Sequence, residues 1–267
     1  MKKDINCIAL FTKHNNNESK KVSMLLKEKM LEKGIKVIDY MPERNSFSDG
    51  SVKDEIDLAI AIGGDGTTLR TFRSLPNDVP VLSVNAGGTR GILSEISKDS
   101  VVSVIPLLLQ GEYYLDKRIR LMVKVGNESL CPALNDFVLI RADLTKTPTF
   151  NISLQNNSLT QKMDGLVIST PTGSTGHSLS NGGPIIHENL ECLLITPIAS
   201  VNRLPPFVIP VEELNILVNY DINLVVDGQN NFKIPKDQKI TVIKYEHYGN
   251  FLRFNKNKLR QLTKLGY

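Results

Sequence analysis

The sequence predicts an α/β domain followed by an all-β domain, and three observations carry that prediction. Over the first hundred residues, short uncharged apolar runs alternate with runs of helical spacing. Beyond about residue 100, β-branched and alternating runs recur between Asn, Gly, Pro and Asp, and helical spacing thins out. Between these two textures lies one helix-like stretch, Val101–Gln110, ended by Gly111. Apolar strands alternating with helices indicate a parallel sheet covered on both faces. Short strands separated by turn residues indicate an all-β domain. The predicted division is residues 1–105, 106–250 and a C-terminal segment 251–267 that packs back on the first domain.

Each element follows from local pattern. Ile5–Phe11 is mostly apolar and suits a buried strand, broken by Asn15-Asn16-Asn17. Val22, Leu25, Leu26 and Met30 then share a helical face, with Gly34 as terminator. Ile35–Tyr40, Asp57–Ile62 and Val79–Val84 supply the next strands. In the second part, strands are predicted at Leu121–Val125, Phe137–Arg141, Phe150–Leu154, Leu166–Thr170, Leu214–Val218, Leu224–Val226 and Ile240–Tyr245. The tail Phe251–Tyr267 holds no acid and five bases: Arg253, Lys256, Lys258, Arg260 and Lys264. Leu259, Leu262 and Leu265 offer an apolar side, so the tail reads as a packed segment with a solvated basic face.

Composition narrows the function classes. With 41% hydrophobic and 22% charged residues, the 267-residue chain has the make-up of a soluble globular protein. A net charge of +4 is too small to imply a nucleic-acid or anionic-membrane partner, and it suits a holder of small phosphorylated ligands. Apolar stretches such as Val101–Leu109 fall well short of the ~20 residues of a membrane span. Met1-Lys2-Lys3, followed by Asp4 and Asn6, makes a poor signal peptide. Cys7, Cys131 and Cys192 form no metal-binding pattern and read as buried thiols, which fits a reducing, cytoplasmic setting.

Two segments carry chemistry. Gly63-Gly64-Asp65-Gly66-Thr67-Thr68-Leu69-Arg70 directly follows the strand Asp57–Ile62 and leads into a helix. Glycines at such a turn let backbone N–H groups approach phosphate oxygens, and the helix N-terminus favours negative charge. A carboxylate inside that run is repelled by phosphate unless it holds Mg²⁺ or accepts a proton from an attacking hydroxyl. The bland alternative makes Asp65 a helix cap or turn residue. Glycine–aspartate loops of this kind occur in lipid kinases, phosphofructokinases and nicotinamide nucleotide kinases, so the octapeptide leaves the substrate open.

The second segment, Lys162–Pro184, reads KMDGLVISTPTGSTGHSLSNGGP. Its hydroxyls on Thr170, Thr172, Ser174, Thr175, Ser178 and Ser180, with its accessible amides, suit recognition of ribose, an adenine edge or diphosphate. Pro171 limits the freedom lost when the loop orders.

With both segments in view, the sequence resembles the NAD kinase family. The family pattern runs from GGDG through an asparagine–acid dipeptide and DG…TPTGSTAYSLSAGGP to ITP and a late DGQ. Here Gly63–Gly66, Asn135-Asp136, Asp164–Pro184, Ile195-Thr196-Pro197 and Asp227-Gly228-Gln229 stand in that order, and KLRQLTKLGY resembles the family's ending. The resemblance implies an α/β domain of Rossmann-like order plus a β-sandwich-like domain. It also implies phosphorylation of the adenosine-ribose 2′-hydroxyl of NAD to NADP, with ATP or polyphosphate as donor and a divalent metal such as Mg²⁺. Asp65 matches the catalytic aspartate, Gly64 and Gly66 with their amides would hold phosphate, and Arg70 would pair with one. Asn135 and Asp136 match the dipeptide contacting the acceptor. Lys162, Asp164, Thr172, Thr175, Gly176, His177, Ser178, Leu179 and Ser180 match its continuing pocket, with Ala199 and Gln229 as later contributors. A homodimer or homotetramer is implied, with residues from a neighbouring subunit near the acceptor.

Three departures stand out. Asn-Asp replaces the more usual Asn-Glu, and Gly176-His177 stands where Ala-Tyr is common. The second glycine loop, Asn85-Ala86-Gly87-Gly88-Thr89-Arg90-Gly91, is one residue longer than the family's, which brings Arg90 into the donor question. A lipid kinase would show an apolar entry for an acyl chain, which the Thr170–Ser180 loop lacks. A nucleotide sensor without turnover would have lost Asp65.

Overall fold

A computed structural model describes residues 5–40, 56–75, 78–87, 91–257 and 259–267. The chain divides into two compact units, one formed by Met1–Lys117 with Gly249–Tyr267 and the other by Arg118–Tyr248.

The first unit is built on a seven-stranded sheet. Its order is Lys36–Tyr40, Cys7–Thr12, Leu58–Gly63, Val81–Asn85, Gly249–Arg253 and Tyr114–Arg118, with Ile96–Ser97 also pairing to Val81–Asn85. The pairs Cys7–Thr12 with Lys36–Tyr40, Cys7–Thr12 with Leu58–Gly63, and Leu58–Gly63 with Val81–Asn85 are all parallel. Leu58–Gly63 is buried along its whole length, which explains its unbroken apolar run. The helix Asn17–Leu31 starts within the asparagine cluster, with the Asn16 side chain accepting the Ser19 N–H at 2.7 Å. It sets Val22, Leu26 and Met30 against Ile8, Leu10 and Ile60 in one core. Val101–Gln110 is a helix closed by Gly111 at φ 67°, the left-handed position that glycine adopts without a Cβ penalty.

The C-terminal segment returns to this sheet, as the sequence predicts, but its charges differ from expectation. Lys256 and Lys264 are exposed; Arg253 and Arg260 are buried and pair with Glu95, while Leu259 is 56% exposed. The reading of a solvated basic face is therefore wrong for both arginines. A planar guanidinium with five donors can satisfy several buried acceptors at once, so these two side chains serve the interior. Lys258 lies outside the described residues.

The second unit holds two six-stranded sheets that share one core. The first runs Asn157–Lys162, Thr149–Leu154, Leu214–Val218, Ile240–Lys244, Leu121–Val125 and Glu128–Ser129. The second runs Phe207–Pro210, Cys192–Ile198, Gly165–Ser169, Asp136–Arg141, Ile222–Val226 and Asn230–Ile234. The pairings within both sheets are antiparallel. Leu121, Val123, Phe150 and Ile216 of one meet Phe137, Leu139, Leu166 and Ile168 of the other, the interdigitation of a β-sandwich. All three cysteines are buried, and they form no disulfide with one another. Among the described residues, no helix is long and apolar enough to cross a membrane.

Candidate active site

The glycine turn of the first unit is built by close approach. A Cβ on Gly63 would lie 2.3 Å from the Thr67 hydroxyl, so the chain turns there only without a side chain. Gly64 is the cap of the helix Asp65–Ser74, with no side-chain cap bond. Asp65 therefore does not cap its own helix. Its two carboxylate oxygens instead accept the backbone N–H groups of Ile92 and Leu93, each at 3.0 Å. The carboxylate is held half-buried at the helix start, with Gly66 exposed beside it and Arg70 one turn on. Gly88, Thr89 and Arg90 of the longer second glycine loop lie outside the described residues.

In the second unit the asparagine–acid dipeptide meets the Thr170–Gly183 loop. Asn135 sits at the start of the strand Asp136–Arg141, and its carbonyl accepts the Thr170 N–H at 2.8 Å. The loop crosses the dipeptide so closely that a Cβ on Gly173 would lie 2.2 Å from the Asn135 carbonyl oxygen. A Cβ on Gly176 would come within 3.7 Å of the Asp136 carboxylate and 4.0 Å of the Asn135 side-chain nitrogen. The Asn135 Oδ1 is buried with no hydrogen-bond partner among the described residues.

Asp136 is 4% exposed. Burial pushes its carboxyl up to about 7, the neighbouring Asp227 carboxylate adds repulsion, and the His177 backbone N–H pulls the other way. A raised folded-state value means that the folded protein binds this proton more tightly than the unfolded chain does. The contribution to stability is thus fully present below the ordinary carboxylate range and is lost as pH rises through about 7. Thermal unfolding at pH 8 and pH 5.5 checks this. Wild type should gain more on acidification than Asp136→Asn, and equal gains would contradict the assignment.

Several site residues use their polar groups within the chain. Thr170 Oγ1 donates to Leu134 O at 2.6 Å, Ser174 Oγ to Pro171 O at 2.7 Å, and Ser178 Oγ shares a 2.7 Å bond with Thr196 Oγ1. These hydroxyls brace the loop through partners within the chain. A buried hydroxyl needs a partner, and the backbone is nearest. Thr175, Gly176 and Leu179 are half-buried, His177 and Ser180 are exposed, and Thr172 is buried.

Asp164 stands elsewhere. It pairs with Arg141 at 3.0 Å at the far end of the strand Gly165–Ser169, beside exposed Lys162. Six residues at about 3.3 Å each put it roughly 20 Å from Asn135 within one chain. Ala199 is exposed at φ 48°, and Gln229 is half-buried after the Asp227-Gly228 turn.

Two residues have roles that the sequence reading did not assign. The Asp227 carboxylate accepts the N–H groups of Asn135 at 2.8 Å and of Leu134 and Asp136 at 3.3 Å, fixing the dipeptide. Its signal was the Asp-Gly hairpin turn, with φ of 49° and 65°. Arg141 ends the Asp136–Arg141 strand, and only the strand register reveals its pairing with Asp164.

Comparison with known proteins agrees with both halves. Residues 8–113 match the family model of the ATP-NAD kinase N-terminal domain, and residues 134–254 match that of the ATP-NAD kinase C-terminal domain. The chain belongs to the NAD kinase family. It is 38% identical over 208 residues to the NAD kinase of Thermococcus sibiricus, covering 76% of this chain and 75% of that protein. It is 32% identical to the NAD kinase of Geobacter sp. (strain M21), covering 92% of each. In fold it is similar to yeast NADH kinase complexed with NADH, with TM-score 0.89 and 21% identity over 99% of this chain and 88% of that chain. An NAD kinase from Archaeoglobus fulgidus in complex with ATP superposes with TM-score 0.76 and 23% identity, over 97% of this chain and 96% of that one.

Proposed function

We propose that this NAD kinase transfers the terminal phosphoryl group of ATP, or of polyphosphate, to the adenosine-ribose 2′-hydroxyl of NAD. The observation that carries the reading is the Asp65 carboxylate, held by the Ile92 and Leu93 amides directly after a glycine turn. Each oxygen accepts one of these bonds and has capacity for another, so the group can take the proton of an attacking hydroxyl. The 2′-oxygen then forms its bond to the terminal phosphorus. The bridging P–O bond breaks toward ADP, or toward a shortened polyphosphate. Amides at the start of the helix Asp65–Ser74 favour the phosphate charge, and Arg70 lies on the same helix.

Among the described residues, no group of three or more His, Cys, Asp or Glu is placed to hold a metal ion. A divalent cation accompanying the donor would supply neutralisation of the phosphate charge, with Asp65 the nearest carboxylate to the glycine turn. The acceptor half draws support from the dipeptide fixed by Asp227 and from the partnerless Asn135 Oδ1, an acceptor suited to an N–H or O–H of the nucleotide. The roughly 20 Å between Asp164 and Asn135 suits the implied homo-oligomer, with Asp164 reaching the acceptor from a neighbouring subunit.

Incubating the purified protein with NAD, Mg²⁺ and either ATP or polyphosphate, and following NADP, tests the reading. Saturable NAD binding without NADP from either donor would assign the chain to nucleotide sensing instead. Asp164→Ala is expected to raise the KM for NAD by about tenfold to a hundredfold with kcat nearly kept, as for loss of one hydrogen bond to a charged group. An unchanged KM would remove Asp164 from the pocket.

A further inference from the structure

The amides that hold Asp65 belong to a stretch, Gly91–Glu95, with no regular secondary structure of its own. What fixes it lies far away in sequence. The outer edge of the strand Val81–Asn85 is shared, with Phe251 pairing at Val81 and Ile96 and Ser97 pairing at Val84 and Asn85. That register brings Arg253, two residues after Phe251, against the stretch leading into Ile96. Its Nη1 donates to the Leu93 carbonyl at 3.0 Å and to Glu95 Oε2 at 3.3 Å, and its Nε donates to Asp116 Oδ2 at 3.3 Å. Glu95 is further tied by Arg260 at 2.7 Å and by the Phe254 N–H at 2.9 Å. The Arg253 guanidinium also lies 4.3 Å from the centre of the Phe251 ring.

Arg253 and Glu95 have side chains only 1% and 2% exposed, and two cations balance two carboxylates in the cluster. Buried ion clusters are weak devices for stability, because desolvation offsets much of the attraction. They are strong devices for geometry when every donor and acceptor is matched. Here one residue separates the cluster from the reacting carboxylate: the carbonyl of Leu93 meets Arg253, and its N–H, in the preceding peptide unit, meets Asp65.

We propose that Arg253 is a positioning residue for Asp65, holding the backbone of Leu93 on the carbonyl side of its Cα so that its N–H stays presented to the carboxylate. The inference rests on the reading of Asp65 as the proton acceptor. Lysine cannot replace the arginine, since one ammonium group lacks the planar fork that serves Leu93, Glu95 and Asp116 together.

The test compares Arg253→Lys, Arg253→Met and Asp65→Asn in the full-length protein. Arg253→Met should lower kcat by about tenfold to a hundredfold, with the KM for NAD within about threefold, as expected for a small misplacement of a reacting group. Arg253→Lys, which keeps the charge and one donor, should fall between it and wild type, and it carries the test if the methionine variant does not fold. Amide hydrogen exchange at Ile92 and Leu93 should accelerate in Arg253→Lys, while exchange along Leu58–Gly63 stays at the wild-type rate. If Asp65→Asn loses turnover while both Arg253 variants keep wild-type kcat, or if Ile92 and Leu93 exchange as in wild type, the positioning role is overturned. If Asp65→Asn keeps turnover, the reading of Asp65 fails, and this inference fails with it.

Discussion

Asp65→Asn is expected to leave the KM for NAD nearly unchanged and to lower kcat by about a thousandfold, the middle of the range for general-base catalysis. The carboxamide keeps the size and shape of the side chain, so the helix Asp65–Ser74 and the glycine turn before it have no steric reason to move. Two things are lost. The amide cannot take the proton of the attacking hydroxyl, and its –NH₂ end faces one of the two N–H donors that the carboxylate satisfies. Initial rates of NADP formation across a range of NAD concentrations separate the two constants, and a thermal melt confirms that the variant is folded. Undiminished kcat would remove Asp65 from the chemistry.

Gly173→Ala should be the most damaging small substitution in the second unit. Its Cβ would lie 2.2 Å from the Asn135 carbonyl oxygen and 2.5 Å from the carbonyl carbon, and neither atom can rotate away. Either the Thr172–Thr175 turn or the dipeptide must shift, at about 1–3 kcal/mol for overpacking a tight site. The same shift moves Asn135 and the Asp136 amide off the Asp227 carboxylate, so the KM for NAD should rise at least about tenfold. Gly182→Ala provides the contrast. That glycine has φ 83° but nothing within 4 Å of its Cβ position, so the change costs only backbone strain of about 1–2 kcal/mol, with the KM for NAD kept. Equal KM values in the two variants would show that the crossing at Gly173 does not shape the pocket.

Legibility from sequence varied with the kind of force involved. Leu58–Gly63 and Val101–Gln110 were readable because a fully buried strand must be apolar throughout and a helix stop needs a left-handed residue. Asn157–Lys162, whose residues are exposed or half-buried, and the four-residue strand Phe207–Pro210 were not, because edge strands carry mixed side chains with no clean alternation. Gly249–Arg253 is buried throughout yet escaped the reading, since its Asn250 and Arg253 are polar and their partners, Asp78, Leu93, Glu95 and Asp116, are distant in sequence. Asp65 and the asparagine–acid dipeptide, the residues proposed for the site, could be singled out from residue type and order. What restrains them could not. The Ile92 and Leu93 amides, the Asp227 carboxylate and the inward turn of Ser174 and Ser178 all depend on which backbone groups come near.

The sequence by itself determined the two fold classes, the order of the motifs and the kinase family, because each depends on residue type at fixed short spacing. Tertiary structure alone decided that Asp65 is held by a loop rather than capping its helix. It also decided that Asp136 is a buried acid beside Asp227, and that the arginines of the C-terminal segment face inward. The physical reason is the same in each case. A charged or polar side chain is indifferent to its sequence neighbours once it is buried, and takes its role from whichever donor or acceptor the fold brings within about 3 Å.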